Sequence, residues 1–408
     1  MQACLSTQAL CRVAPSRSRL ISNFPRHWQR LYSAQNHHRV SVRCGSAGHV
    51  SVDLLNIDEQ PNSPLFIHLP SSPSSDSSPA PIPRFLQDKP VASINYRWNS
   101  VDYDTDESSA TAAEDVWPAP IHDTLFAYSW LVENLSPPGL KRRAIYVYGS
   151  HIGAGLAASL ALTESKPHHP FAVRGLISYN GIYNWTMFFP DHPANRMVDR
   201  FGERRITGIY AKPREGSYMH YLRQNLPTLF RSTADMFDVF ASPSLLFHNP
   251  GLRIPSSYHM SEQETSAIEV LTNPNAEVDT LTKMPRKSRL GFPPRTSMLK
   301  IPETLLLYDT LPVLLPPTKR KRGRPLSGRQ WGNSLELQAK ELAGMMQRSI
   351  LSYEMKARGQ WDDDIGAWEN EPIRRVKVRH AGEESVSLEM DQKGVEAVEE
   401  WLMERTPS

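Results

Sequence analysis

The chain has 408 residues, 39% of them hydrophobic and 22% charged, with a formal net charge of +3. That balance suits a globular chain long enough for one large α/β core with insertions, or for two domains. It excludes a whole-protein field that would select nucleic acid or an anionic membrane, and no apolar run reaches the ~20 residues of a spanning helix.

The three cysteines are Cys4, Cys11 and Cys44. Their place near the N-terminus excludes a disulfide framework, a Cys-rich zinc site and a cysteine nucleophile in the remaining body. Thirty-four prolines, about 8% of the chain, exceed the usual ~5% and predict long loops.

Residues 1–52 contain no Asp, Glu or Lys, but they carry Arg12, Arg17, Arg19, Arg26, Arg30, Arg39 and Arg43 among several serines. An Arg-rich, Ser-rich, acid-free start has the composition of a mitochondrial transit peptide. Arg30-Leu31-Tyr32-Ser33 has the form of a processing site ahead of Ser33. A basic tail without a targeting role is the alternative. In either case residues 1–52 are expected to stand outside the folded domain, which is expected to run from 53 to 408.

In the body, short apolar runs predict strands over residues 64–70 and 91–96, separated by a Ser/Pro loop over 71–83. Ile121, Leu125, Tyr128, Val132 and Leu135 recur as one helical stripe, ended by Pro137-Pro138-Gly139. Residues 144–148 are apolar on both faces, as in a covered parallel sheet, and a tight turn over 149–153 follows. Residues 152–163 are Ala, Leu, Gly and Ser, predicting a helix buried all round; 173–179 predicts another strand. This alternation predicts a mostly parallel sheet with helices on both faces.

Residues 183–300, rich in aromatics and proline, interrupt it with short helical pieces such as 233–240. A strand over 303–308, a basic loop over 316–329, a long helix over 334–358, an edge-like strand over 375–379 and a last helix over 393–405 complete the chain.

This order resembles the α/β-hydrolase fold, and its esterase–lipase branch in particular. The residues that carry the likeness are Trp117-Pro118-Ala119-Pro120-Ile121-His122-Asp123, the helix bearing Leu125, Tyr128, Trp130 and Leu131, and Tyr146-Val147-Tyr148-Gly149-Ser150-His151-Ile152-Gly153. It spans about residues 60–405, with 183–300 in the place of that family's cap. The resemblance implies hydrolysis of carboxylic esters by a serine on a Gly-x-Ser-x-Gly turn, where flanking glycines relieve a backbone too tight for a Cβ.

Aligning Gly149 and Gly153 with the outer glycines puts His151 at the nucleophile position and Ser150 at the variable position before it. The turn is kept and the reactive hydroxyl is missing. The family's His-Gly-Gly-Gly oxyanion loop corresponds to His68-Leu69-Pro70-Ser71-Ser72-Pro73, where prolines lack the N–H such a loop supplies. Asp309 falls where the family's acid sits, and His380 where its histidine sits. Each is alternatively an ordinary turn residue. Ser150 as nucleophile beside His151 is a further alternative, weakened because adjacent residues point apart.

The expectation is therefore a divergent esterase-like chain with weak or lost hydrolysis, holding a small apolar ester or acyl ligand under the cap. The alternative is a non-catalytic interaction protein. Lys319-Arg320-Lys321-Arg322-Gly323-Arg324-Pro325 contains Arg322, Gly323, Arg324 and Pro325 in the form of a minor-groove hook for A·T-rich DNA. The same run reads as a nuclear import signal or as a solvated loop. Gly149, Gly153 and Gly155 do not fit a dinucleotide pattern, and His37-His38 and His168-His169 lack a third metal ligand, so no cofactor or metal is expected.

Overall fold

The computed structural model describes residues 37–45, 48–57, 63–72, 79–98, 115–139, 141–189, 192–195, 197–198, 204–205, 213–247, 291–312, 332–356, 370–385 and 388–406. The basic run 319–325, with Arg322, Gly323, Arg324 and Pro325, lies outside them.

Ten strands are described: β1 (His37–Arg43), β2 (His49–Leu55), β3 (Leu65–Leu69), β4 (Val91–Asn95), β5 (Arg143–Ser150), β6 (Phe171–Tyr179), β7 (Met197–Val198), β8 (Arg204–Arg205), β9 (Glu303–Thr310) and β10 (Val376–Glu383). Eight of them form one sheet in the order β1-β2-β4-β3-β5-β6-β9-β10, and β7 with β8 makes a small separate pair. β2 runs antiparallel to both β1 and β4, and every other pairing in the large sheet is parallel. The expected mostly parallel sheet is what the chain forms.

The domain begins earlier than expected. β1 and the first residues of β2 precede residue 53 and belong to the sheet, so the expected boundary at 53 falls inside it. Val42, Val50 and Val52 alternate inward and are buried, while Asp53 is held by Arg39 at 2.6 Å and Asn95 at 2.8 Å. The arginine counted toward a targeting composition thus forms a buried-carboxylate ion pair.

Among the described residues six α-helices accompany the sheet: α1 (Ala119–Leu135), α2 (Ile152–Glu164), α3 (Tyr218–Leu229), α4 (Leu335–Ser349), α5 (Glu371–Arg375) and α6 (Gln392–Met403). One face of the sheet packs a core with residues of α1, α2, α3 and α4, and the other with Ala397, Val398, Trp401 and Leu402 of α6. α2 is buried from Ile152 to Leu162, as its all-round apolar sequence requires. In α1 the buried face runs through Ile121, Thr124, Ala127, Tyr128 and Leu131, with Asp123 fully inside. Asp123 is charge-paired to Arg97 at 2.7 Å, which is why an acid belongs on the buried face.

The expected helix over 334–358 is interrupted. α4 ends at Ser349 and continues as a π-helical turn, Ile350–Met355. The expected piece at 233–240 is a 3-10 turn, Thr233–Phe237. Among described residues 183–300, α3 is the longest helix; its N-cap is Ser217, whose Oγ accepts from the His220 N–H at 3.2 Å.

Candidate functional site: a closed elbow

The turn after β5 has the geometry that Gly149 and Gly153 imply. A Cβ on Gly149 would stand 2.6 Å from the Gly153 carbonyl, and one on Gly153 would stand 2.3 Å from the Pro70 carbonyl. Only glycine permits that approach. Between them His151 sits at φ 55° and ψ −119°, a backbone conformation costly for a residue with a Cβ. Its N–H donates to the Tyr179 carbonyl at 2.8 Å, which pins the turn to β6.

The His151 ring is 2% exposed. It meets Tyr179 edge-on at 5.4 Å and Tyr218 at 4.7 Å between centroids. Nδ1 is buried without a hydrogen-bond partner, and burial pushes the imidazole down to about 3. At neutral pH this is an uncharged ring walled off from solvent, without the access an ester would need.

Tyr218 closes the site. It is the first residue of α3, it is buried, and its ring stands edge-on over His151. Below it the carbonyls of Leu69 and Pro70 face Gly153, and the Tyr96 hydroxyl donates to the Pro70 oxygen at 2.7 Å. His68 does not reach this space. Its Nδ1 bonds Ser93 Oγ at 3.0 Å and its ring stacks on Tyr148 at 5.6 Å.

Ser150 ends β5 and stands on the same strand face as Tyr148, two residues back. His151 Nδ1 lacks a hydroxyl partner, so that nitrogen does not form the Ser150–His151 pair considered from sequence.

Asp309 and His380 are not brought together. His380 is level with Tyr308, and the register then shifts so that Gly382 is level with Asp309. His380 stacks on Tyr308 at 5.6 Å, bonds Thr310 Oγ1 through Nε2 at 3.0 Å, and has Lys393 Nζ at 3.1 Å from Nδ1. Asp309, one residue on from Tyr308, faces the opposite side of the sheet. Its Oδ2 accepts from the Tyr179 hydroxyl and from Asn180 Nδ2 at 2.9 Å, while Oδ1 is buried without a partner. Burial raises its carboxyl above the ordinary range despite those two donors. The acid–base pair expected from sequence is therefore corrected: in the regular pairing His380 is level with Tyr308, so strand alternation puts Asp309 on the other face of the sheet, and no hydrogen bond joins the two side chains among the described residues.

Glu384 is the residue that sequence reading missed. It follows β10, its N–H donates to the Thr310 carbonyl at 2.9 Å, and its Oε1 accepts the Tyr218 N–H. Burial, then the nearby Asp309 charge, raise its carboxyl. Glu384 thus anchors the start of α3 while Tyr218 fills the elbow. The end of α3 is anchored too: the Leu229 carbonyl accepts from Trp98 Nε1 at 2.9 Å and from the Trp117 N–H at 3.1 Å. No group of three His, Cys, Asp or Glu that could hold a metal occurs among the described residues.

No family model matches the chain, and no curated protein does. Among solved structures the chain is similar to an esterase from Pyrobaculum calidifontis, at 13% identity over 89% of this chain and 82% of that one, with a TM-score of 0.45. It is also similar to carboxyl esterase 2 from the fungus Tuber melanosporum, at 11% identity over 90% and 83%, TM-score 0.44. Two fungal esterases from Rhizomucor miehei are the subject of a third, at 12% identity over 91% and 82%, TM-score 0.44. Strand order β1-β2-β4-β3-β5-β6-β9-β10 with β2 reversed, helices on both faces and a strained turn after β5 give this chain the α/β-hydrolase architecture.

Proposed function

We propose that this chain is an α/β-hydrolase-fold protein that has lost ester hydrolysis and acts through binding. One observation carries the reading: a histidine stands at the elbow, 2% exposed, its Nδ1 without a partner and its ring under that of Tyr218. Losing a triad nucleophile alone costs about 10⁶ in kcat. Here the nucleophile is absent and the turn is covered. An apolar acyl ligand under the cap would have to displace Tyr218.

The test is a fluorophosphonate probe together with acetyl and long-chain p-nitrophenyl esters. Neither labelling nor hydrolysis above the blank is expected. Labelling that disappears in Ser150→Ala would overturn the reading.

A second reading rests on Arg322-Gly323-Arg324-Pro325 as a minor-groove arm for A·T-rich DNA. Retention on A·T-rich duplex that falls with salt and is lost in Arg324→Ala supports it; no retention at low salt dismisses it. A mitochondrial address in the N-terminal residues belongs to the same proposal. It is tested by whether a fluorescent fusion reaches the organelle and loses it when Arg12, Arg17 and Arg19 become Gln.

A further inference from the structure

At the end of β9 remote from the elbow, a cleft of about 330 Å³ opens between the segment leading into that strand and the π-helical turn Ile350–Met355. Ser349, Ile350, Ser352, Tyr353, Glu354 and Lys356 all line it. Ser349, Ser352, Tyr353 and Lys356 recur at i, i+3, i+4 and i+7, so one helical face supplies this wall; π turns recur at functional sites.

The lining charge is unbalanced. Arg295, Lys300 and Lys356 face the cleft against one carboxylate, Glu354. That carboxylate is already committed: Arg375 grips it through both guanidinium nitrogens, and Lys300 stands 3.6 Å away. Arg295 and Lys356 are exposed and form no ion pair among the described residues. The Arg295 guanidinium lies 6.0 Å from the Tyr353 ring centroid, and Pro293, Pro294 and Ile301 add apolar surface beside it.

We propose that this cleft binds a small phosphorylated compound with an aromatic or apolar body. Cations from two separate segments converge on it, which suits the dianionic, three-oxygen head of a phosphate monoester. Ser352 supplies a further donor. The Tyr353 ring and the prolines receive the body. The volume falls in the range of small-molecule sites. The proposal is independent of the elbow, which lies at the other end of the strands.

The experiment is calorimetric titration of the full chain with phenyl phosphate, inorganic phosphate and phenol. Phenyl phosphate is expected to bind about 10-fold tighter than inorganic phosphate, from burial of its ring, and phenol not measurably. Arg295→Glu and Lys356→Glu, at exposed positions, are each expected to weaken phenyl phosphate about 10-fold or more, whereas Arg43→Glu, exposed on β1 at the opposite edge of the sheet, leaves it unchanged. Circular dichroism of each variant confirms that it is folded. Absence of binding by both phosphates, phenol binding as tightly as phenyl phosphate, or affinity unchanged in both charge-reversed variants would overturn the proposal.

Discussion

Tyr218→Ala removes the ring that packs on His151 at 4.7 Å between centroids, at a position where Tyr218 is 9% exposed. Large-to-small changes of buried aromatic residues cost about 3–5 kcal/mol. Tyr218→Phe removes one oxygen and leaves the ring in place, so it keeps most of that contribution. Urea unfolding followed by tryptophan fluorescence measures both, with the slope against denaturant checked for constancy. The ordering expected is wild type at or above Phe, and Phe well above Ala. An Ala variant within about 0.5 kcal/mol of wild type would refute the reasoning, because the ring would then not be filling the space over the elbow.

Gly153→Ala is expected to destabilise by about 1–3 kcal/mol or more in the same assay, since the new Cβ meets the Pro70 and Leu69 carbonyls at 2.3 and 2.6 Å and neither is a side chain that can rotate away. Arg375→Met is expected to cost about 3–5 kcal/mol, because it strands the partly buried carboxylates of Glu354 and Glu371. Acidification is expected to weaken the fold below pH ~6.5. Burial holds His68 and His151 down to about 3, so the unfolded chain takes up protons that the folded one refuses, and stability present above ~6.5 falls by up to about 1.4 kcal/mol per pH unit for each ring. The raised carboxyls of Asp309 and Glu384 act in the opposite sense, their contribution being lost as pH rises. Unfolding free energies at pH 7 and 5 test this; His68→Gln should reduce the drop, and an unchanged stability across that interval would contradict it.

What the sequence made legible followed from periodicity. The apolar run 144–148 and the small-residue helix after it became β5 and α2 because a strand covered on both faces must be apolar throughout, and a helix lying close on it must be small. Gly149 and Gly153 could be placed because the space left for a Cβ is a local property of the turn. β1 was hidden by its composition: Arg39 and Arg43 alternate with inward Val40 and Val42 on an edge strand, where one basic face is normal. α3 was hidden by low apolar content, with Arg223, Gln224, Asn225 and an internal Pro227 between its buried Leu222 and Leu229. His380 was misjudged because its face relative to Asp309 depends on which β9 residue it pairs with, here Tyr308, and no pattern within β10 announces that register. Glu384 and Tyr218 lie 166 residues apart in the chain, so their contact leaves no local signal.

The elbow persists here without the hydroxyl that usually explains it, and packing accounts for that. Gly153 lets the start of α2 rest against the carbonyls at the end of β3, and Gly155 lets its next turn approach the Ile182 carbonyl, where a Cβ would come within 2.6 Å. The same turn carries the His151 N–H to Tyr179 and so fixes β5 to β6 at the centre of the sheet. The glycines therefore remain necessary whatever side chain stands between them. The identity of that side chain is set by a different neighbour. With α3 anchored by Glu384 at one end and by Trp98 and Trp117 at the other, the space above the turn is filled by Tyr218, and a flat neutral ring completes that aromatic contact better than a small polar hydroxyl would. Replacing His151 with Ser alone would accordingly leave an aromatic-walled gap under Tyr218 with no imidazole placed to activate the new hydroxyl, so restoring a Gly-x-Ser-x-Gly turn at one position is not expected to restore ester hydrolysis.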